Sequence, residues 1–161
     1  MRLALFQPAI PENVGSAIRL TASLGVCLDI IEPCGFPLGS RALKRAALDY
    51  GPLAMVSRHL SFTDFMDEPA RQQGRLVLLT TKATVGLYDF TFHADDTVLM
   101  GSETSGVPPE VHAAAEARLR IPLISQARSI NMVNAAAMAL GEGLRQTRAG
   151  SFNAQSPISP A

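Results

Sequence analysis

Residues Arg2–Ile31 read RLALFQPAIPENVGSAIRLTASLGVCLDII, and this stretch decides the fold class. Arg2 to Gln7 is a short apolar run of strand length, and Pro8 and Pro11 turn the chain behind it. Asn13 is placed to cap a helix running to about Leu24, with Gly25 as its stop. Val26 to Ile31 then makes a second strand, closed by Glu32-Pro33-Cys34-Gly35. Strand, helix and strand in so few residues favour a parallel α/β unit.

Working outward, Arg75 to Thr80 and Asp96 to Gly101 are further buried strands, and their apolar continuity fits a sheet covered on both faces. A strand candidate covers Leu53 to Ser57 and a helix spans Ser61 to Gln72. Between them and the first unit, Arg41 to Asp49 is a short basic helical segment. Pro109 to Ala117 predicts a small alanine-rich helix, and Leu119 to Ile121 a last short strand. The final helix should run from about Ile130 to Thr147 with Ser129 as its N-cap. From Ala149 onward the Gly, Ser, Asn, Gln and Pro content predicts a loose tail.

The 161 residues, 47% of them hydrophobic, suit one well-filled domain. Fourteen basic residues balance fourteen acidic ones, so any contact with a polyanion must come from a local patch such as Arg41, Lys44, Arg45 and Arg58. Cys27 and Cys34 lack metal or redox spacing and read as buried or half-buried thiols in a reducing compartment. The apolar run at the N-terminus is too short for a signal peptide or a membrane span. His59, His93 and His112 read as solvated side chains.

The turn after the first strand has neither a dinucleotide fingerprint nor a phosphate-binding P-loop. A serine elbow and a CxxC pair are missing as well. Three polar clusters interrupt apolar sequence instead: Pro11 to Arg19, Gly101 to Pro108, and Ser125 to Leu140. In the last of these Asn131 and Asn134 lie one turn apart within a small, apolar helix. Buried amides there need partners, so the pair is either a structural network or the lining of a site.

The other candidates stay equally open on local grounds. Asn13 reads as a cap or a site residue, Arg19 as a solvated arginine or a phosphate clamp, Glu103 as a loop tie or a functional carboxylate, and Ser129 as a cap or a site residue. Ala135, Ala136, Ala137, Ala139, Gly141 and Gly143 point to a tight helix interface.

In order and spacing these clusters resemble the SPOUT superfamily of RNA methyltransferases, most strongly its short members of the tRNA (cytidine/uridine-34)-2'-O-methyltransferase, or TrmL, type. The resemblance rests on Asn13, Gly15 and Arg19; on Gly101-Ser102-Glu103-Thr104-Ser105-Gly106-Val107-Pro108; and on Ile121-Pro122-Leu123 followed by Ser129 to Ala135. Ile31-Glu32-Pro33, Gly35-Phe36, Leu48-Asp49-Tyr50 and Thr80-Thr81-Lys82 belong to it too, and it covers about residues 2 to 148. The chain departs from the family pattern at Ser102, where proline is common, Ser105 (arginine), Val133 (serine) and Gly141 (tyrosine).

The resemblance implies a three-layer α/β/α parallel-sheet SPOUT fold with a deep C-terminal trefoil knot over residues 1–148, followed by a tail over residues 149–161. It implies a cytoplasmic homodimer, without metal or membrane, that uses S-adenosylmethionine to methylate the wobble ribose of leucine tRNAs in the anticodon loop. Leu79, Thr80, Gly101, Glu103, Ile121, Leu123, Ser129, Asn131 and Met132 would hold the cofactor. Arg19, supplied by the neighbouring subunit, would act with Asn13, Glu103, Ser129 and Asn134 in catalysis, the identity of the general base remaining open. Two other readings stand beside this one: a SPOUT methyltransferase for another tRNA or rRNA position, and a catalytically silent RNA-binding dimer.

Overall fold

The computed structural model describes residues 1–39, 50 and 53–147. The basic segment with Arg41, Lys44 and Arg45, the residues Leu48 and Asp49, and the tail over residues 149–161 lie outside them. The first unit is strand β1 (Arg2–Phe6), helix α1 (Pro11–Leu24) and strand β2 (Cys27–Ile31), with β1 and β2 parallel. Gly25 ends α1 in the left-handed region at φ 62°, a conformation that glycine adopts without a Cβ penalty.

Asn13 does not cap that helix. Pro11 opens it, with Ile10 in the preceding position, because proline at the first helical residue lacks the N–H a cap would serve and already has a helical φ. Asn13 thus sits inside the first turn and its side chain is free for a distant partner.

Strands β3 (Val56–His59), β4 (Leu76–Leu79), β5 (Val85–Gly86), β6 (Thr97–Met100) and β7 (Ala117–Arg120) complete the sheet. Its order is β3-β2-β1-β6-β4-β7-β5, and every strand pairing is parallel. Helices α2 (Phe62–Asp67), α3 (Pro109–Ala114) and α4 (Met132–Thr147) complete the elements of the described residues, apart from a 3-10 turn at Leu87–Asp89.

Alternation along the central strands feeds two cores. Leu3, Leu5, Val77, Leu79, Val98 and Met100 pack with residues of α1 and α4. Ala4, Phe6, Leu76, Leu78 and Leu99 pack with Phe65 of α2 and Val111 of α3. Burying both faces explains the continuous apolar runs in the sequence.

Several boundaries move, each for a local reason. β3 begins at Val56 and not Leu53 because little apolar burial sets its register: it is an edge strand with three exposed residues. Its one buried side chain, His59, is 6% exposed and meets Asp29 Oδ1 at 2.9 Å. His59 is therefore no solvated histidine; it closes a buried cluster in which Arg2 also grips Asp29 through two bonds of 2.9 and 2.7 Å. That contact holds the Arg2 guanidinium above its ordinary pKa, mainly through the hydrogen bond to Asp29 and against the opposing effect of burial.

α2 is shorter than expected. Ser61 Oγ caps it by accepting from the Asp64 N–H at 3.0 Å, and Glu68, the residue before Pro69, is extended, since a residue preceding proline avoids the helical region. α3 stops at Ala114 and β7 starts two residues before Leu119, because Glu116 is drawn to β4. Its N–H donates to Leu76 O at 3.0 Å and its carboxylate accepts from Leu76 N at 2.6 Å. His112 is half-buried and its Nδ1 accepts from Arg118 Nε at 3.0 Å.

The two glycines of the last helix part company. Gly143 is buried, and a Cβ there would run into Met1 of the same chain, whereas Gly141 faces open space. Gly143 thus serves packing within the protomer.

Candidate functional site

The polar site is built from loops that leave the carboxyl ends of the strands, where open parallel sheets bind their ligands. Gly101-Ser102-Glu103-Thr104-Ser105-Gly106 follows β6 and folds back on itself. Ser102 N donates to Gly106 O at 3.0 Å and Gly106 N to Ser102 O at 2.8 Å. A Cβ on Gly101 would stand 2.8 Å from the Gly106 carbonyl carbon, and Gly106 itself has φ 67°. Both glycines are therefore required by the shape of this loop.

The closed loop presents Glu103 to the segment after β1. Glu103 Oε2 accepts from the Ala9 N–H at 2.8 Å, and Oε1 accepts from Asn13 Nδ2 at 2.7 Å. Asn13 Oδ1 in turn accepts from Asn131 Nδ2 at 3.0 Å. Asn131 Oδ1 then accepts the N–H groups of Val133 and Asn134 at 2.9 and 3.3 Å. This makes Asn131 the N-cap of α4, in place of Ser129.

One unbroken relay therefore joins all three polar clusters. Its polarity is forced. A carboxylate only accepts, so Asn13 must present its amide nitrogen to Glu103 and its oxygen to Asn131, which leaves the Asn131 oxygen for the helix end.

The relay forms one wall of a cavity of about 410 Å³, a size proper to a small-molecule site. All nine residues expected to hold a cofactor line it. Leu79 ends β4 and Thr80 follows it, Gly101 and Glu103 follow β6, Ile121 and Leu123 follow β7, and Ser129 and Asn131 lead into α4, which Met132 opens. Asn13 lines it as well; Arg19 and Asn134 do not.

Arg19 is half-buried on α1 and donates to Ser16 Oγ at 3.1 Å. Asn134 is exposed on α4. The expected buried amide pair is thus corrected, since Asn131 is exposed too: the pair lies at the start of the helix, where one member caps and the other faces outward. Ile10, Ser102 and Val107 also line the cavity and were not singled out individually as ligand contacts. Ser102 and Val107 belong to the Gly101 to Pro108 cluster, and Ile10 stands next to the cluster that begins at Pro11.

The lining suits a ligand with a flat apolar part and a positive charge. Leu79, Met100, Ile121, Leu123 and Met132 supply apolar wall, and Glu103 is the only ionisable side chain among the described lining residues. Nearby, Cys34 is half-buried and its thiol is pushed up to about 11 by burial, with Glu32 adding to the shift. It is a poor nucleophile at neutral pH. Among the described residues no group of three His, Cys, Asp or Glu side chains could hold a metal ion, and no helix is long and apolar enough to cross a membrane.

Comparison with known proteins agrees along most of the chain. The model of the SpoU rRNA Methylase family matches residues 1–141. A tRNA (cytidine(34)-2'-O)-methyltransferase of Beijerinckia indica is 53% identical over 147 residues, which cover 91% of this chain and 92% of that protein. A solved structure described as giving structural insights into the 2-OH methylation of C/U34 on tRNA superposes with a TM-score of 0.85 at 38% identity, over 90% of this chain and 94% of that one. An AdoMet-bound rRNA methyltransferase from Sinorhizobium meliloti superposes with a TM-score of 0.79 at 25% identity, over 89% of this chain and 55% of that one.

Proposed function

The chain belongs to the SpoU rRNA methylase family, and on that premise we propose that it methylates the ribose of the wobble nucleotide in leucine tRNAs. It is a tRNA 2'-O-methyltransferase that uses S-adenosylmethionine and acts on cytidine or uridine 34, in line with the relatives it matches. The observation that carries this reading is the convergence of three distant segments on one cavity whose described lining holds a single carboxylate. Residues 1–148 form the methyltransferase domain, a three-layer fold with a C-terminal trefoil knot. The protein works in the cytoplasm.

The bound cofactor supplies a methyl group activated on a sulfonium. The chain's own residues supply geometry. Apolar walls exclude water, and the charge of Glu103 complements the sulfonium. The relay from Ala9 to Asn131 holds the loops around the cavity in a single arrangement, so the ribose oxygen, methyl carbon and sulfur can be brought into line, which lowers the entropic part of the barrier.

Both Glu103 oxygens already accept N–H donors, which supports a positioning role for it over that of proton acceptor. Arg19 and Asn134 lie outside the cavity lining, on α1 and α4, two helices that share a core. A second copy of the chain brings its Arg19 to the mouth of the cavity as a phosphate clamp, and the anticodon loop docks across the two subunits. Asn134 orders that interface, and Ser129 orients the ribose.

The test is incubation with labelled S-adenosylmethionine and total tRNA from a strain lacking the gene, followed by mapping of the labelled nucleotide. Label on the 2'-oxygen of nucleotide 34 in leucine tRNAs is the expected result. Label at another position overturns the target, and no transfer overturns the activity.

A further inference from the structure

Most arginines among the described residues are engaged within the fold. Arg2, Arg58, Arg71, Arg75 and Arg145 face carboxylates, and Arg118 is held by His112 and the Ala113 carbonyl. Arg120 and Arg128 are different. Both are exposed, and neither side chain has a hydrogen-bond or ion-pair partner among the described residues.

These two arginines bracket the loop that joins β7 to α4. Residues 122–129 are all exposed, and the Ala127 N–H donates to Ile124 O at 3.0 Å, closing a turn over Ser125 and Gln126 that directly follows the exposed Leu123-Ile124 pair. Ile124 is 74% exposed and Leu123 37%. Ile121 and Leu123 at one end of the loop, and Ser129 at the other, line the cavity. The loop is thus a rim of the opening through which a methyl acceptor must approach.

We infer that this loop is an RNA-docking element: Arg120 and Arg128 take two backbone phosphates of a single-stranded segment, and Leu123 and Ile124 take the face of an unstacked base. The inference rests on the proposed function and names the part of the surface that engages its RNA. Charge and chemistry favour this occupant. Two unneutralised guanidiniums flanking an exposed apolar pair match a polyanion whose bases are splayed out, the state in which RNA loops are read. The loop is also continuous with the cavity, which places the bound ribose beside it.

The experiment measures binding of a leucine tRNA to the full-length protein between about 50 and 500 mM salt. Replacing both arginines, Arg120→Gln with Arg128→Gln, should flatten the plot of log affinity against log salt by about 1.4, two single-strand phosphate contacts at about 0.7 each. If the lines meet at about 1 M salt, that is about 25-fold weaker binding at about 0.1 M. Ile124→Ala should raise the KM for tRNA and leave the slope unchanged. All variants should keep the parent's affinity for S-adenosylmethionine and its sedimentation behaviour.

An unchanged slope overturns the inference. So does a change of oligomeric state, which would show that a second copy covers the loop, and so does a matching loss of cofactor affinity. Failure of the parent to methylate nucleotide 34 overturns the proposed function instead, so the two are separable.

Discussion

Replacing Glu103 by glutamine should destabilise the protein although the shapes are nearly identical, because no arrangement of amides can satisfy the relay. The relay has donors at both ends: the Ala9 N–H at one, and the Val133 and Asn134 N–H groups at the other. Between them Asn13 and Asn131 each offer one donor and one acceptor. A two-sided acceptor is needed somewhere along the line, and Glu103 is the only one. With glutamine in its place, each amide can flip, yet one donor always faces another.

The clash will settle at the exposed junction of Asn131 with the α4 N-terminus, where water relieves part of it. That costs roughly the value of a helix cap, about 1 kcal/mol. Exchanging a charge-assisted bond for a neutral one at Asn13 costs about 1 kcal/mol more. The sum of about 2 kcal/mol corresponds to a fall in Tm of about 4–8 °C for a chain of this size.

Asn13→Asp alone sets a second carboxylate against Glu103 across what is now a 2.7 Å contact, and should also destabilise. The double variant, Glu103→Gln with Asn13→Asp, moves the two-sided acceptor by one position and satisfies every junction again. It should melt above both single variants, a coupling opposite in sign to additive damage. Thermal and urea unfolding of the four proteins measures this. A double variant no more stable than Glu103→Gln would refute the reasoning. Methyl transfer adds a second reading: recovery in the double variant fits a positioning Glu103, and a dead but stable double variant gives the carboxylate at position 103 a direct part in cofactor binding or methyl transfer.

Other outcomes follow from single contacts. Gly101→Ala would push a Cβ against the Gly106 backbone, and forced overpacking of about 1–3 kcal/mol should appear as weaker S-adenosylmethionine binding in calorimetry. Arg19→Ala should raise the KM for tRNA more than it weakens cofactor binding, as steady-state kinetics with each substrate varied will show. Cys34, with its thiol at about 11, should resist alkylation at neutral pH and react increasingly as pH rises toward 11, followed by peptide mass spectrometry. Glu142 is held down at about 2, chiefly by its hydrogen bonds from Arg145 and then Gln146. Because its folded pKa is depressed, its contribution to stability is present above about 4.5 and lost as pH falls toward 2. Glu142→Gln should therefore flatten that part of the acid-unfolding curve.

Periodicity and turn chemistry are local, and what depends on them could be read from the sequence. The first strand, helix and strand, the left-handed stop at Gly25, the four central strands and the final helix follow from apolar runs that need no knowledge of partners. The two-residue strand β5 was missed because Val85-Gly86 is too short to carry a pattern. β3 was misplaced because an edge strand with exposed residues has little pattern to read.

The site was legible as a set of segments. Polar residues interrupting apolar sequence marked the places that converge on the cavity, and all nine expected ligand contacts line it. Their individual roles were not legible, since a cap, a bridge and a ligand contact use the same side chains.

Whether Asn131 or Ser129 caps α4 depends on which of them lies within reach of Asn13. Whether His59 is solvated depends on Asp29, thirty residues away along the chain. Sequence by itself determined the succession of the central strands and the first and last helices, and the three segments that matter, because those are properties of neighbouring residues. Only the tertiary structure decided which donor meets which acceptor, because hydrogen bonds reach about 3 Å and their partners are brought that close by the packing of the whole sheet.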